Sequence, residues 1–313
     1  MSCLSKKMKK ETLREKFAGS MLGTAVGDAL GAPTEGWGRF AGRRMISGRY
    51  TDDTHMMIGV AESLIEKRGF DGEHMALTFM QNFYREPWRG YGPGPPCVFK
   101  LIKSGERWDR AAEKLYEGGS YGNGGAMRIA PVGLFYYDEP EKLYQVACQS
   151  ARITHSHPLG MEGAVLQARA VALATVCTAK VDPEGFLKEL ENFIQSEVYR
   201  KKINKIYKLL SCKEDKIKIV KELGNGIEAF NSVPAAIYSF LSNLDSFEEA
   251  VIYAVSLGGD TDTIGAMTGA IAGAYHGVKG IPCEWKNLLE NKIKGRDYIL
   301  GLATRLWKIK FEV

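Results

Sequence analysis

The sequence contains no CxxC pair. Its six cysteines, Cys3, Cys97, Cys148, Cys177, Cys212 and Cys283, are scattered along 313 residues, which argues against both a disulfide framework and a thiolate zinc site. It also lacks any stretch near the about 18 consecutive apolar residues of a membrane span, and any charged start followed by an apolar run and a cleavage site. Charge of one sign is scarce: 42 basic against 37 acidic side chains leave +5, too small an excess to point to nucleic acid or an anionic membrane. A reducing compartment, the cytoplasm, is the expectation. Sustained apolar/polar alternation is missing as well, and no β-rich pair flanks an Asn-Gly or Asp-Gly turn. These absences exclude most folds except an all-α one.

Helical periodicity runs almost the whole length. Between Thr12 and Gly31 apolar residues recur near 3.6-residue spacing, while Gly19, Gly23, Gly27 and Gly31 fall every fourth position. Each glycine costs a helix about 1 kcal/mol relative to alanine, so four on one stripe predict a close approach by another backbone. Further helices are predicted over 52–68, 72–85, 97–103, 107–116, 141–154, 159–178, 234–241, 247–257, 261–276 and 285–308, with peripheral amphipathic helices between 183 and 223. The run from Leu159 to Thr178 is apolar nearly all round, as expected at the centre of a bundle. With no composition shift and no tandem repeat, the chain reads as a basic tail over 1–11 and a single compact many-helix domain over 12–313.

Two stretches carry more oxygen than a helix start needs. Gly258-Gly259-Asp260-Thr261-Asp262-Thr263 leads into one helical run, and Tyr50-Thr51-Asp52-Asp53-Thr54 opens another. A plain account is that these residues cap two helices, since Asp and Thr answer the helix dipole. Capping asks for one such residue, whereas three or four stand in a row. If the two starts meet, four carboxylates converge with hydroxyls and no thiolate, a set that favours Mg²⁺, Mn²⁺ or Ca²⁺ over Zn²⁺.

Other residues carry weaker signals. Glu35 follows Pro33-Thr34 at the head of a loop rich in Gly and Arg. Five glycines between Gly118 and Gly125, bracketed by Tyr116 and Tyr121, make a loop able to offer free N–H groups to an anion. His155 and His157 flank a helix boundary, where a capping or core histidine is the bland alternative.

Taken in order, Gly27-Asp28-Ala29-Leu30-Gly31, Tyr50-Thr51-Asp52-Asp53-Thr54, Tyr121-Gly122-Asn123-Gly124-Gly125-Ala126-Met127-Arg128, Ile153-Thr154-His155 and Ser256 to Thr263 resemble the motif set of the ADP-ribosylglycohydrolase family, which includes the dinitrogenase reductase-activating glycohydrolases. Ser120 to Arg128, Gly224 to Val233 and Ile271 to Tyr275 look most like the branch holding the vertebrate hydrolases of ADP-ribosylserine and poly(ADP-ribose). The resemblance implies an all-helical fold of that family's type and a centre of two Mg²⁺ ions, with Mn²⁺ a substitute. By residue-wise match Thr51, Asp52, Asp53, Asp260, Asp262 and Thr263 would ligate metal, and Glu35 would be catalytic. Tyr116, Gly119, Ser120, Tyr121, Gly122 and His155 would bind substrate. Tyr116 stands near a stacking phenylalanine of that branch, and the loop between Glu35 and Thr51 is shorter than in the vertebrate enzymes. The implied activity is hydrolysis at the ribose C1″ of protein ADP-ribose, O-acetyl-ADP-ribose or poly(ADP-ribose) to release ADP-ribose, the expected partner being a modified protein above all, with no nucleic acid or membrane. Two alternatives are a non-catalytic ADP-ribose-binding or crystallin-like relative and, from the metal chemistry alone, a phosphohydrolase.

Overall fold

The computed structural model describes residues 10–36, 47–212 and 214–311. Among them are sixteen α-helices and no strand. In chain order these are α1 (Lys10–Gly31), α2 (Asp52–Lys67), α3 (Gly72–Arg85), α4 (Gly94–Lys103), α5 (Gly124–Met127), α6 (Ala130–Phe135), α7 (Pro140–Arg152) and α8 (Pro158–Val176). They continue as α9 (Pro183–Glu191), α10 (Glu197–Ser211), α11 (Lys216–Leu223), α12 (Ala229–Leu241), α13 (Phe247–Val255), α14 (Thr261–His276), α15 (Cys283–Leu288) and α16 (Arg296–Phe311). Lys6, Lys7 and Lys9 of the basic tail, and 37–46 of the loop after Glu35, lie outside the described residues. Lys10 and Glu11, placed in the tail by sequence, already belong to α1.

The glycine stripe of α1 meets a second stripe on α14, running antiparallel. A Cβ added at Gly19, Gly23, Gly27 or Gly31 would lie 2.3, 2.2, 2.0 or 2.3 Å from the carbonyl oxygen of Gly273, Gly269, Gly265 or Thr261. Such contact replaces the 8–10 Å spacing that ordinary side chains impose. Many short-range dispersion contacts then offset the propensity lost at each glycine. Hydroxyls stitch the seam: Ser20 Oγ donates to the Ala270 carbonyl at 2.8 Å and Thr261 Oγ1 to that of Gly31 at 2.9 Å. The second bond satisfies a carbonyl that the end of α1 would otherwise leave unpaired. At the opposite end Lys16 Nζ donates to the carbonyls of Ala174, Cys177 and Tyr275, where α8 and α14 finish.

Helix α8 is long and apolar enough to cross a membrane by length and composition, yet most of it is buried within the assembly. Its Gln167 Nε2 donates to the Met267 carbonyl of α14 at 2.9 Å.

Two predicted helices differ. Residues 107–116 hold only a 3-10 turn, Ala111–Lys114, because Trp108 packs edge-on to Phe70 and against Gly72 instead of lying on a helical face. The expected helix over 285–308 is split into α15 and α16 by the 289–295 segment. Glu290 of that segment accepts from Arg89, and Lys294 pairs with Glu62 and donates to Asn82, so these side chains reach other elements rather than following a helical stripe.

Replacing Gly23 by Val should abolish the seam, with a loss of more than about 4 kcal/mol or failure to fold. Gly301→Ala in α16, where a Cβ meets nothing within 4 Å, should be neutral or stabilising by about 0.5–1 kcal/mol. Thermal unfolding of the two variants checks the contrast.

Candidate active site

The seam puts the C-terminal end of α1 beside the N-terminus of α14, and Asp28 near that end reaches the start of α2. Its carboxylate accepts from the backbone N–H of Thr51 (3.0 Å) and Thr54 (3.1 Å) and from the Thr54 hydroxyl (2.5 Å). One helix therefore fixes both acidic helix starts. The sequence showed Asp28 inside a motif but gave no sign of this capping role, because a cap supplied from another helix has no sequence spacing.

The two starts do meet. Glu35, Asp260 and Asp262 offer oxygens all within 4.8 Å of one another, and the same cavity is lined by Thr51, Asp52, Asp53 and Thr263. Asp260 occupies the N-cap position of α14 but caps nothing with its side chain; Asn123 Nδ2 donates to its Oδ2 at 2.5 Å. Thr51 does cap α2, accepting from the Asp53 N–H, and its hydroxyl donates to Asp53 Oδ2 at 3.2 Å. The capping account thus holds for Thr51 and fails for Asp260.

No lysine or arginine forms an ion pair with Asp28, Asp52, Asp53, Asp260 or Asp262 among the described residues, and Asp53 Oδ1 is buried without any hydrogen-bond partner. Burial pushes Asp28 up to about 6 against the opposing bonds from Thr54 and Thr51. Burial, then the charge of Asp28, pushes Asp52 up to about 7. Asp53 and Asp262 rise well above the ordinary carboxylate range, by burial first and then by the Asp262 and Asp260 charges respectively. Glu35, on the rim, is raised by partial burial and by Asp260. Uncompensated carboxylate oxygens, one of them orphaned, with hydroxyls beside them and no thiolate, fit hard divalent cations.

The cavity has a volume of about 290 Å³. Tyr116, Ser120, Gly122 and His155 line it, whereas Gly119 and Tyr121 do not. Gly119 is buried at φ +84°, where a Cβ would strike His157 N at 2.5 Å, and the half-exposed Tyr121 ring lies against His157 and Phe230 outside the lining. The two histidines divide. His157 caps α8, accepting from the Leu159 N–H; His155 is buried against the glycine loop, where a Cβ at Gly124 would meet its Cε1 at 2.4 Å. The loop enters only the single turn of α5.

The irregular segment holding Gly90, Gly92 and Pro93, with Gly94 and Pro95 opening α4, also lines the cavity. Arg89 anchors it, donating to Glu86, to both oxygens of Glu290 and to the Tyr50 carbonyl, with its guanidinium 4.0 Å from the Tyr50 ring centre. Asn123 and Arg89 were not singled out by sequence reasoning; a polar side chain serving another residue leaves no periodic signal.

A family model described as ADP-ribosylglycohydrolase matches residues 9–312. The ADP-ribosylhydrolase ARH3 of Mus musculus is 37% identical over 326 residues, covering 88% of this chain and 87% of that protein. That of Homo sapiens is 40% identical over 273 residues, covering 77% and 74%. A solved structure titled ADP-ribosylglycohydrolase-related protein complex superposes with a TM-score of 0.77 at 28% identity, covering 96% of this chain and all of that one.

A carboxyl whose pKa is higher folded than unfolded contributes stability at low pH that is lost as pH rises through the folded value. With Asp28 near 6 and Asp52 near 7 against an ordinary 3.8, the metal-free protein should lose melting temperature between about pH 4 and 7. Saturating Mg²⁺ or Mn²⁺ should remove that dependence, and Asp53→Asn should melt higher than wild type without metal while losing the response to it. Thermal scans across pH, with and without divalent ions, measure all three effects.

Proposed function

The chain belongs to the ADP-ribosylglycohydrolase family, and from that premise we propose that it cleaves the ribose C1″ linkage of an ADP-ribosylated protein, releasing ADP-ribose, in a reaction that depends on Mg²⁺. It is an ADP-ribose glycosyl hydrolase by membership; the acceptor class and the metal are the proposed part. The observation that carries the metal is the cluster of carboxylates around Asp53 Oδ1, which has no protein partner. Asp52, Asp53, Asp260 and Asp262, with the hydroxyls of Thr51 and Thr263, would hold two divalent ions. Such ions would supply orientation of the ribose hydroxyls and of a water at the scissile carbon.

The remaining work belongs to the chain's own groups. Departure from C1″ develops positive charge on the ribose. Glu35, held above its ordinary range by burial and by the charge of Asp260, is the group placed to move a proton as water replaces the departing group. Asn123 holds Asp260 by one carboxylate oxygen, and Asp28 holds the Thr51 backbone, so both helix starts are oriented before ligand arrives. Ser120 and Gly122 offer polar groups to the diphosphate at the cavity wall, and Tyr116 gives an aromatic face at its mouth.

Asp262→Ala should abolish turnover and metal binding together. Glu35→Gln should retain ADP-ribose affinity while losing about 10²–10⁴ in turnover; equal losses in both would demote Glu35 to a binding role. Mass spectrometry of products from ADP-ribosylated peptides should find intact ADP-ribose. AMP would instead mean phosphoanhydride cleavage.

A further inference from the structure

We propose that Arg128, acting through Thr154, fixes His155 in the neutral tautomer that carries its proton on Nε2, so that the cavity presents a hydrogen-bond donor to the anionic part of the ligand and never a histidine base.

Arg128 is fully buried, and among the described residues it forms no ion pair with a carboxylate, while its Nε has no hydrogen-bond partner. Its guanidinium lies 4.8 Å from the Phe79 ring centre, and Nη2 donates to the Ser150 carbonyl at 2.9 Å. Nη1 donates to Thr154 Oγ1 at 2.8 Å. A guanidinium has no acceptor, so that bond has one direction. Thr154 Oγ1 is also 2.8 Å from His155 Nδ1. The hydroxyl owns one hydrogen, Thr154 is buried, and no other acceptor stands within its reach among the described residues. If Nδ1 carried the proton, the threonine oxygen would accept twice and its own O–H would be buried with nothing to bond, at a cost of about 1–3 kcal/mol. The arrangement that satisfies both the threonine hydroxyl and Nδ1 runs Arg128 to Thr154 to His155 Nδ1, leaving the ring hydrogen on Nε2.

Nε2 has no protein partner among the described residues, and His155 lines the cavity between Gly122 and Gly124. A Cβ at Gly122 would lie 3.2 Å from it, so the bare loop backbone leaves the N–H open to a ligand oxygen. Burial, helped by the charge of Arg128, holds the ring down to about 3, and Arg128 itself at about 9 stays charged at neutral pH. Arg128 and Thr154 are positioning residues here: Arg128 does not line the cavity, and Thr154, which does, passes the cation's influence to the ring through its one hydroxyl. The ligand class, a diphosphate, rests on the function proposed above; the tautomer does not.

Nitrogen-15 NMR of the ligand-free protein, with the His155 signals identified by their absence from His155→Gln, tests the tautomer directly at pH 7. The expected result is a neutral ring with Nδ1 unprotonated. A proton on Nδ1, or an imidazolium, overturns the proposal. Thr154→Val removes the relay at nearly constant volume and should convert the ring to a mixture of tautomers, with ADP-ribose affinity by calorimetry down about tenfold. Thr154→Ser should keep both at wild-type values, and a Val variant indistinguishable from wild type also overturns the relay. If Thr154→Val does not fold, the wild-type spectrum and the Ser variant still decide. Wild-type protein that fails to bind ADP-ribose would sink the functional reading, while the spectrum would go on judging the tautomer.

Discussion

Four times along one seam, a carbonyl oxygen of α14 occupies the place where a β-carbon of α1 would stand. That contact is possible only because glycine faces the seam, and it dictates more than packing. Two backbones this close admit no sliding, so the end of α1 and the start of α14 are registered to within a fraction of a residue. The second acidic segment is registered to the same helix by Asp28, which caps α2 from outside. Both halves of the site are thus referred to one rigid element rather than to each other.

Such registration matters because the assembled groups repel. Asp52, Asp53, Asp260 and Asp262 share a small volume, and among the described residues no cationic side chain pairs with them, a configuration that costs stability and that the protein would relax if its helices could part. A rigid seam on one side and the Arg89–Glu290–Tyr50 clamp on the other hold the carboxylates where a divalent ion is the natural complement. The buried positive charge of Arg128 is spent differently: it faces neutral groups and sets the hydrogen-bond direction at His155.

Much of this was legible in the residues. Glycine every fourth position predicted a close helix contact because only that geometry justifies the propensity loss, and the runs of Asp and Thr predicted oxygen clusters because capping needs fewer. The all-helical fold followed from the periodicity together with the missing alternation. What escaped were relations with no fixed spacing: Asp28 to Thr51, Asn123 to Asp260, Arg89 to Glu290. Trp108 and the segment around Glu290 misled for a related reason, since their helical composition yielded to contacts with distant parts of the chain. Adjacency in a motif likewise does not say which neighbours line the cavity: Ser120 and Gly122 do, Gly119 and Tyr121 do not.

The position of the two glycine-striped helices near opposite ends of the chain has a consequence for the order of events during synthesis. When the ribosome has produced the first acidic turn, its scaffold helix still lacks a partner, and a bare glycine face is the poorest of helices on its own. Some two hundred residues must be made before α14 can close over it. Until then the carboxylates of α2 remain hydrated and apart, so the electrostatic burden of the site falls on a chain whose helices α3 to α13 are already available to bear it.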